Sequence, residues 1–194
     1  ENDVMLASLS LTAVDLINNA GPQYIGGDRQ IRFAGWNLRG AKLSRDKSNF
    51  RAAFHYCKKG IAFLGKEHWL GNLSQLRKLH EGAAFASYAI GNTADTLQFS
   101  ETIIQNVVFE QSIFAQFMVL RSLESAGEHE QTIARGLALL RALNFNIPSL
   151  PTPRIIMETM IQTRNTASHY SIEQIINVQK STVVDSMKRN ILNL

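Results

Sequence analysis

The fold class is decided by residues 48–65, which read SNFRAAFHYCKKGIAFLG. Apolar side chains recur here at intervals of three and four residues, the spacing of one face of an α-helix. They are Phe50, Ala53, Phe54, Cys57, Ile61 and Leu64. Ser48 stands where an N-terminal cap is expected, and Gly65 follows as a C-terminal stop. The stretch therefore predicts a helix from about 48 to 64 with one buried face.

Two glycine turns separate further predicted helices. The turn at Gly91-Asn92 is followed by a helix from Thr93 that is expected to carry Val108, and the second turn is Ala126-Gly127-Glu128. Connections this short make consecutive helices antiparallel. Gly91 and Gly127 are 36 residues apart, close to the period of about 34 residues in tetratricopeptide units. The matching small residues after the two turns are Thr96 with Thr132 and Ser100 with Gly136.

The sequence thus predicts an all-α fold in which antiparallel helix pairs stack as a tetratricopeptide-like (TPR-like) α-solenoid. We assign the array to 1–147. Prolines at 148, 151 and 153 predict a hinge over 148–153, because each removes a backbone donor and restricts its predecessor. Residues 154–194 are expected to form a C-terminal helical pair, with helices near 154–167 and 172–188. The chain begins at Glu1 and ends in an apolar run, which we interpret as a fragment of a larger protein.

Composition narrows the class of protein. The chain has 194 residues, 45% of them hydrophobic, which is enough for a shared core. No apolar run approaches the ~18 residues of a membrane helix. The single cysteine, Cys57, has no internal disulfide partner, which suits a reducing compartment. We therefore expect a cytoplasmic segment that does not contact a membrane.

Charge is distributed unevenly. Residues 28–78 contain twelve Lys and Arg against three acidic residues, whereas residues 79–135 contain two Arg against seven acidic residues. Within the basic part, the side chains of Arg39, Lys42 and Arg45 share one helix face. That face is most simply solvated, and a docking surface for an acidic partner is the functional interpretation. The alternative is a nucleic-acid-binding helical repeat that uses the basic region 28–78, although no aromatic-interleaved basic motif accompanies the charge.

No motif predicts catalysis, a cofactor or a metal. Residues 60–67 nearly spell a phosphate-binding loop, but they end an apolar helix, and Glu67 stands where a hydroxyl would bind magnesium. The five histidines have no metal-ligand spacing, and no serine lies in a nucleophile motif. Trp36 is predicted to be a core residue, and Trp69 to fill the joint between helix pairs.

A family resemblance rests on several short stretches. The residues that carry it are 35–41, 49–64, His68-Trp69, Gly91-Asn92 and 134–137. In this order they resemble the helical region that follows the AAA-type ATPase module in very large signalling proteins, namely bacterial multi-sensor serine/threonine and histidine kinases and ATPase-domain proteins of diatoms. The resemblance covers about 28–147. Phe63 stands where the family pattern has Leu, and acidic residues usual after the glycine turn are reduced to Asp95.

The resemblance implies a spacer between a nucleotide-binding module and output domains of a signalling ATPase or kinase. We therefore expect a non-catalytic helical scaffold without a cofactor. Its expected partners are neighbouring domains of the same polypeptide, or other proteins and peptides. An enzyme with an all-α pocket is the third interpretation, because no acid–base constellation is visible.

Overall fold

A computed structural model describes residues 2–65, 69, 71, 73–145, 148 and 150–171. Over these residues the chain is helical and contains no strand, which confirms the all-α prediction for this part. A short 3-10 helix, Pro22–Tyr24, lies between the first two α-helices. The α-helices are α1 (Asn2–Ala20), α2 (Asp28–Asp46), α3 (Phe50–Leu64), α4 (Leu73–Ala89), α5 (Thr93–Asn106), α6 (Phe109–Ser125), α7 (His129–Ala142) and α8 (Pro153–Ser168). The predicted helix over 172–188 lies outside the described residues.

Helix α3 matches the predicted helix in extent but not in its cap. Gly65 ends it with φ 67°, and the Gly65 N–H donates to the Ile61 carbonyl over 3.0 Å, as predicted. The N-cap is Asn49, whose side chain accepts from the Ala52 N–H at 3.2 Å. The prediction of Ser48 as the cap was wrong. Ser48 has a left-handed φ of 57° because the chain turns there between α2 and α3.

The two predicted glycine turns are confirmed. Gly91 has φ 78° and Gly127 has φ 77°, left-handed values that favour glycine. Asn92 then caps α5 by accepting from the Asp95 N–H at 3.1 Å. One helix end differs from the prediction: α5 stops at Asn106, and Val108 lies outside it. Both Val107 and Val108 have extended backbones, so the apolar spacing carries on while the helix does not.

The described chain divides into two compact units, Glu1–His129 and Glu130–Leu194. In the first unit each helix from α1 to α5 packs against the next one, and α4 also packs against both α2 and α6. The core includes a cluster of aromatic, aliphatic and small side chains at the junction of α1 to α4. Its buried members are Val14, Ala41, Tyr56, Cys57 and Ala83. Burial, and the Asp15 carboxylate that accepts from the phenol, raise the pKa of Tyr56 to about 12.

Small residues allow the helices of the first unit to approach closely. Thr96 and Ser100, predicted as close-packing positions, are fully buried. The Thr96 hydroxyl lies 3.0 Å from the Ser87 hydroxyl of α4. Helix α2 likewise buries Ala34, Gly40 and other small or polar residues. The prediction of Trp36 as core was therefore wrong: it is 37% exposed and meets Phe33 edge to face, because the buried side of α2 has no room for an indole.

A buried amide pair joins α1 to α2. Asn18 and Asn37 each donate to the other's side-chain oxygen, over 2.8 and 2.9 Å. Asn37 also donates to the Phe33 carbonyl at 3.0 Å, and the Lys59 ammonium donates to the Asn18 carbonyl at 3.2 Å. Satisfied amides of this kind fix the register of two helices, since any slip would leave buried polar groups unpaired.

The second unit contains α7 and α8. Thr152 caps α8 by accepting from the Ile155 N–H, and Pro153 occupies the first turn, where a missing donor costs little. Every described residue of α8 is exposed, including Met157, Met160 and Ile161. The predicted hinge at 148–153 falls within this unit and stays a prediction.

Candidate functional site

Helix α2 aligns three cations along one exposed face. Arg39, Lys42 and Arg45 are spaced three residues apart, so they follow one another along the axis at steps of about 4.5 Å. Their exposure confirms that this face is solvated. Helix α2 packs against α3 and α4 and buries other residues of its own, among them Asn37 and Ser44. The row of cations is therefore fixed by the core and is not carried on a loop.

These cations line a cleft of about 510 Å³ that the sequence did not reveal. We call it the basic cleft. Its rim carries the exposed Arg39, Lys42 and Arg45 from α2 and the exposed Lys78 from α4. Its floor consists of buried small side chains, and its aromatic lining comes from α4 and α6. The floor residues are Ala41, Ala53, Cys57 and Ala86, and the aromatic residues are Phe85 and Phe114.

The cleft exists because its floor residues are short. A Cβ at Gly82 would lie 2.8 Å from the Cys57 sulfur, so α3 and α4 approach closely beneath the cleft. Above this contact, Ala53 and Ala86 leave space that larger side chains would fill. A volume of this size falls within the usual range of about 300–1,000 Å³ for ligand sites. Small residues here were visible in the sequence, but that they meet across three helices was not.

Comparison with known proteins adds no relative. No family model matches the chain, and no curated protein or solved structure matches it. None of the helices among the described residues is long and apolar enough to cross a membrane. The use of the basic cleft is therefore inferred from the side chains that line it.

The electrostatics of the cleft favour an anion. Among the described residues, its lining holds four cationic side chains and one carboxylate, Glu81. Glu81 is half-buried on α4 and lies 3.6 Å from the Arg77 guanidinium. Burial raises the pKa of Glu81, while the positive charges of Arg77 and Lys78 oppose that rise. Arg45 has a contact of 4.0 Å with the neighbouring Asp46 at the surface, which weakens its charge only slightly.

The cleft offers binding groups, and its thiol is not activated. Burial raises the pKa of Cys57 to about 12, and the nearby positive charge of Arg45 offsets only part of this effect. Because the thiolate and not the thiol is the nucleophile, Cys57 behaves as a small apolar residue of the floor. Among the described residues that line the cleft, none is a histidine or a serine. The expectation that the segment is not an enzyme stays a prediction.

The other residues weighed from the sequence lie in structural settings. Gly60 is packed within α3, where an added Cβ would lie 2.7 Å from Leu79, so the start of the loop-like motif is helix core. Lys66 and Glu67, which complete that motif, lie outside the described residues. Among the residues that the structure describes, no three His, Cys, Asp or Glu side chains converge as metal ligands.

His80 and Trp69 belong to an aromatic cluster that the sequence only partly predicted. Trp69 is half-buried against the core, and its ring centre lies 5.0 Å from that of His80; its predicted place at a joint between helix pairs stays a prediction. The ring of Phe99 lies 5.8 Å from His80 on another side. Burial lowers the pKa of His80, and its Nδ1 lies 2.9 Å from the Leu76 carbonyl. This histidine is a neutral core residue.

Three other cations of region 28–78 make contacts elsewhere. Lys59 is directed to α1 by its bond to Asn18, and Lys58 lies 5.3 Å from the centre of the Phe54 ring. Arg77 is engaged with Glu81 and donates to the Gln111 carbonyl. The cations that line the cleft are Arg39, Lys42, Arg45 and Lys78, whereas Lys58, Lys59 and Arg77 contact other groups.

Proposed function

We propose that this chain is a helical interaction segment whose basic cleft binds an acidic stretch of a partner protein. The observation that carries the proposal is that Lys78 of α4 joins Arg39, Lys42 and Arg45 of α2 around a single concave surface. Opposite charge across such a surface speeds encounter and selects the partner. Concavity adds what a flat charged face lacks, namely contact area that excludes water.

The wider architecture supports a scaffold. In the proposed TPR-like α-solenoid, each helix contacts its sequence neighbours and the helix two positions away. Helix α4 does this with α2 and α6, and the two left-handed glycine turns recur after 36 residues. We further propose that the segment serves a large signalling protein of the AAA-ATPase or multi-sensor kinase type. In that setting the acidic stretch belongs to a neighbouring domain or to a separate protein.

Charge reversal tests the binding site. The probe is a fluorescein-labelled, glutamate-rich peptide, and its anisotropy reports binding to the full chain. Replacing the three α2 cations as R39E, K42E and R45E is expected to weaken binding at least about tenfold, since attraction becomes repulsion. A matched control carries R29E, R32E and R51E, which change exposed arginines outside the cleft by the same total charge.

The control decides between a site and general attraction. Retained binding in the control, with loss in the cleft variant, supports the proposal. Equal losses in both variants would show that only net charge matters and would overturn the assignment of the cleft. Circular dichroism and thermal unfolding of all three proteins establish that neither variant has lost its fold.

The second candidate function is binding of single-stranded nucleic acid. The observation in its favour is that Phe85 and Phe114 lie beside the rim cations, since bases stack on aromatic rings while phosphates meet Lys and Arg. An RNA oligonucleotide in the same anisotropy assay tests it. Salt-dependent binding that is tighter than that of the peptide, and is lost in the cleft variant, would favour nucleic acid over an acidic protein.

A further inference from the structure

We infer that the acidic segment bound in the basic cleft inserts one large apolar side chain onto the floor between α3 and α4. This inference rests on the proposed function and specifies its ligand: a peptide with carboxylates on either side of an aromatic or long aliphatic residue. The rim and the floor of the cleft differ in chemistry, and a ligand must satisfy both.

The floor is the first part of the argument. Ala53, Cys57 and Ala86 present no polar side-chain atom other than a neutral thiol, and all three are buried. These three residues are already almost fully covered, so the apolar surface that a purely acidic peptide would leave in water belongs mainly to the half-buried side chains around the floor, namely Leu38, Phe85 and Phe114. Removing apolar surface from water is favourable in proportion to its area, so a ligand with an apolar anchor gains affinity that a purely charged ligand lacks.

The walls supply the second part. Phe114 of α6 and Leu38 of α2 are half-buried and line the same cleft, so an inserted ring would meet apolar side chains from several helices. Phe85 is already engaged, with its ring centre 5.9 Å from that of Phe50, and forms a fixed wall. Anchors seated in preformed pockets dominate the energy of many protein interfaces.

The row of cations supplies the third part. Arg39, Lys42 and Arg45 succeed one another at steps of about 4.5 Å along α2, so a ligand with several separated carboxylates matches them better than a single phosphate does. Glu81 disfavours a compact, highly charged anion, because its carboxylate lies on the α4 side of the same cleft. An acidic peptide can place its apolar residue near Glu81 and its carboxylates toward α2.

A pair of peptides tests the anchor without altering the protein. Both are short, labelled and glutamate-rich, and they differ only in a central phenylalanine or serine. The phenylalanine peptide is expected to bind the full chain about tenfold to a hundredfold more tightly, the range for burying one such side chain. A second measurement uses Phe114→Ala, which should weaken the phenylalanine peptide more than the serine peptide.

Each outcome decides one proposal. A preference for phenylalanine that shrinks in Phe114→Ala supports the inference. Equal affinities, both lost when the α2 cations are reversed, would overturn the anchor and leave the acidic-partner function standing. Failure of both peptides to bind would overturn the proposed function itself. A preference for phenylalanine that Phe114→Ala leaves unchanged would also overturn the inference, because the ring would then lie outside the cleft.

Discussion

Glu81 is the residue whose charge opposes the proposed ligand. It lies 3.6 Å from Arg77 on its own helix. The cations of α2 and the neutral thiol of Cys57 on α3 line the same cleft. Its pKa is raised, first by burial, with Arg77 and Lys78 acting in the other direction. The raised pKa belongs to the folded state, so ionisation of Glu81 disfavours folding. That loss of stability develops as the pH rises from the usual glutamate range through the raised pKa.

The raised pKa of Glu81 also leads to a prediction about ligand binding. As the pH falls through the raised pKa of Glu81, the cleft loses its negative charge, and an anionic ligand should bind more tightly. The ligand's own charge must stay fixed, so the probe is a peptide whose acidic groups are sulfonates. Glu81→Gln should bind it about twofold to fivefold more tightly at neutral pH, as expected for one partly screened charge, and should flatten the pH profile. An unchanged profile in Glu81→Gln would contradict the prediction.

At the scale of the element, close helix contacts depend on glycines that differ in their surroundings. Within α3, an alanine at Gly60 would place its Cβ 2.7 Å from Leu79 and 3.2 Å from Asn37. Within α2, an alanine at Gly35 would meet only the end of the Gln75 side chain, at 3.3 Å. Both positions are helical, so an alanine gains about 1 kcal/mol of helix propensity at either position.

We therefore expect unequal effects from the same substitution. Gly60→Ala should lower the free energy of unfolding by about 1–3 kcal/mol, because overpacking moves Leu79 or separates α2, α3 and α4. Gly35→Ala, the matched control, should change stability by less, because only the Gln75 amide, which donates to the Ile31 carbonyl, has to shift by a few tenths of an ångström. Urea unfolding followed by circular dichroism measures both. A Gly60→Ala protein as stable as the parent would show that the helices separate at no cost, against the close packing described.

The helix ends also show which features local sequence patterns predict and which they miss. Gly65, Gly91 and Gly127 mark helix ends in the sequence because they adopt backbone angles that other residues avoid. The break at Val107 carries no such residue, and apolar spacing runs across it, so it was missed. Trp36 was misplaced for a related reason: a hydrophobicity pattern ranks indole above amide, whereas close packing of α2 selected Asn37 for the interior.

The candidate site was predictable only in part, because it combines distant segments. The three-residue spacing of Arg39, Lys42 and Arg45 is by itself enough to place them on one exposed helix face. Lys78 and the floor residues join them through the packing of α3 and α4 on α2, which depends on side-chain volumes and not on spacing. A local sequence pattern does not predict such a contact between distant segments. The family resemblance and the signalling context are proposals, because they rest on short sequence motifs.

At the scale of the whole molecule, region 28–78 is basic and region 79–135 is acidic. The salt dependence of ligand binding therefore shows how much of the affinity comes from charge. Rim charges act through solvent, and the screening length falls from about 10 Å at 0.1 M salt to about 3 Å at 1 M. Contact of an apolar anchor with Ala53 and Ala86 is not screened in this way. Salt should therefore remove the charge-dependent part of binding and leave the part contributed by the floor.

The expected result separates three ligands in one titration. With rising salt, the serine peptide should lose its binding, while the phenylalanine peptide should retain measurable affinity near 1 M. An RNA oligonucleotide should weaken most steeply, because each neutralised phosphate contributes a slope of about −0.7 in a plot of log affinity against log salt. If the binding of both peptides weakens in parallel and is lost at the same salt concentration, the floor contributes nothing to affinity. The cleft would then bind its ligand through the rim alone.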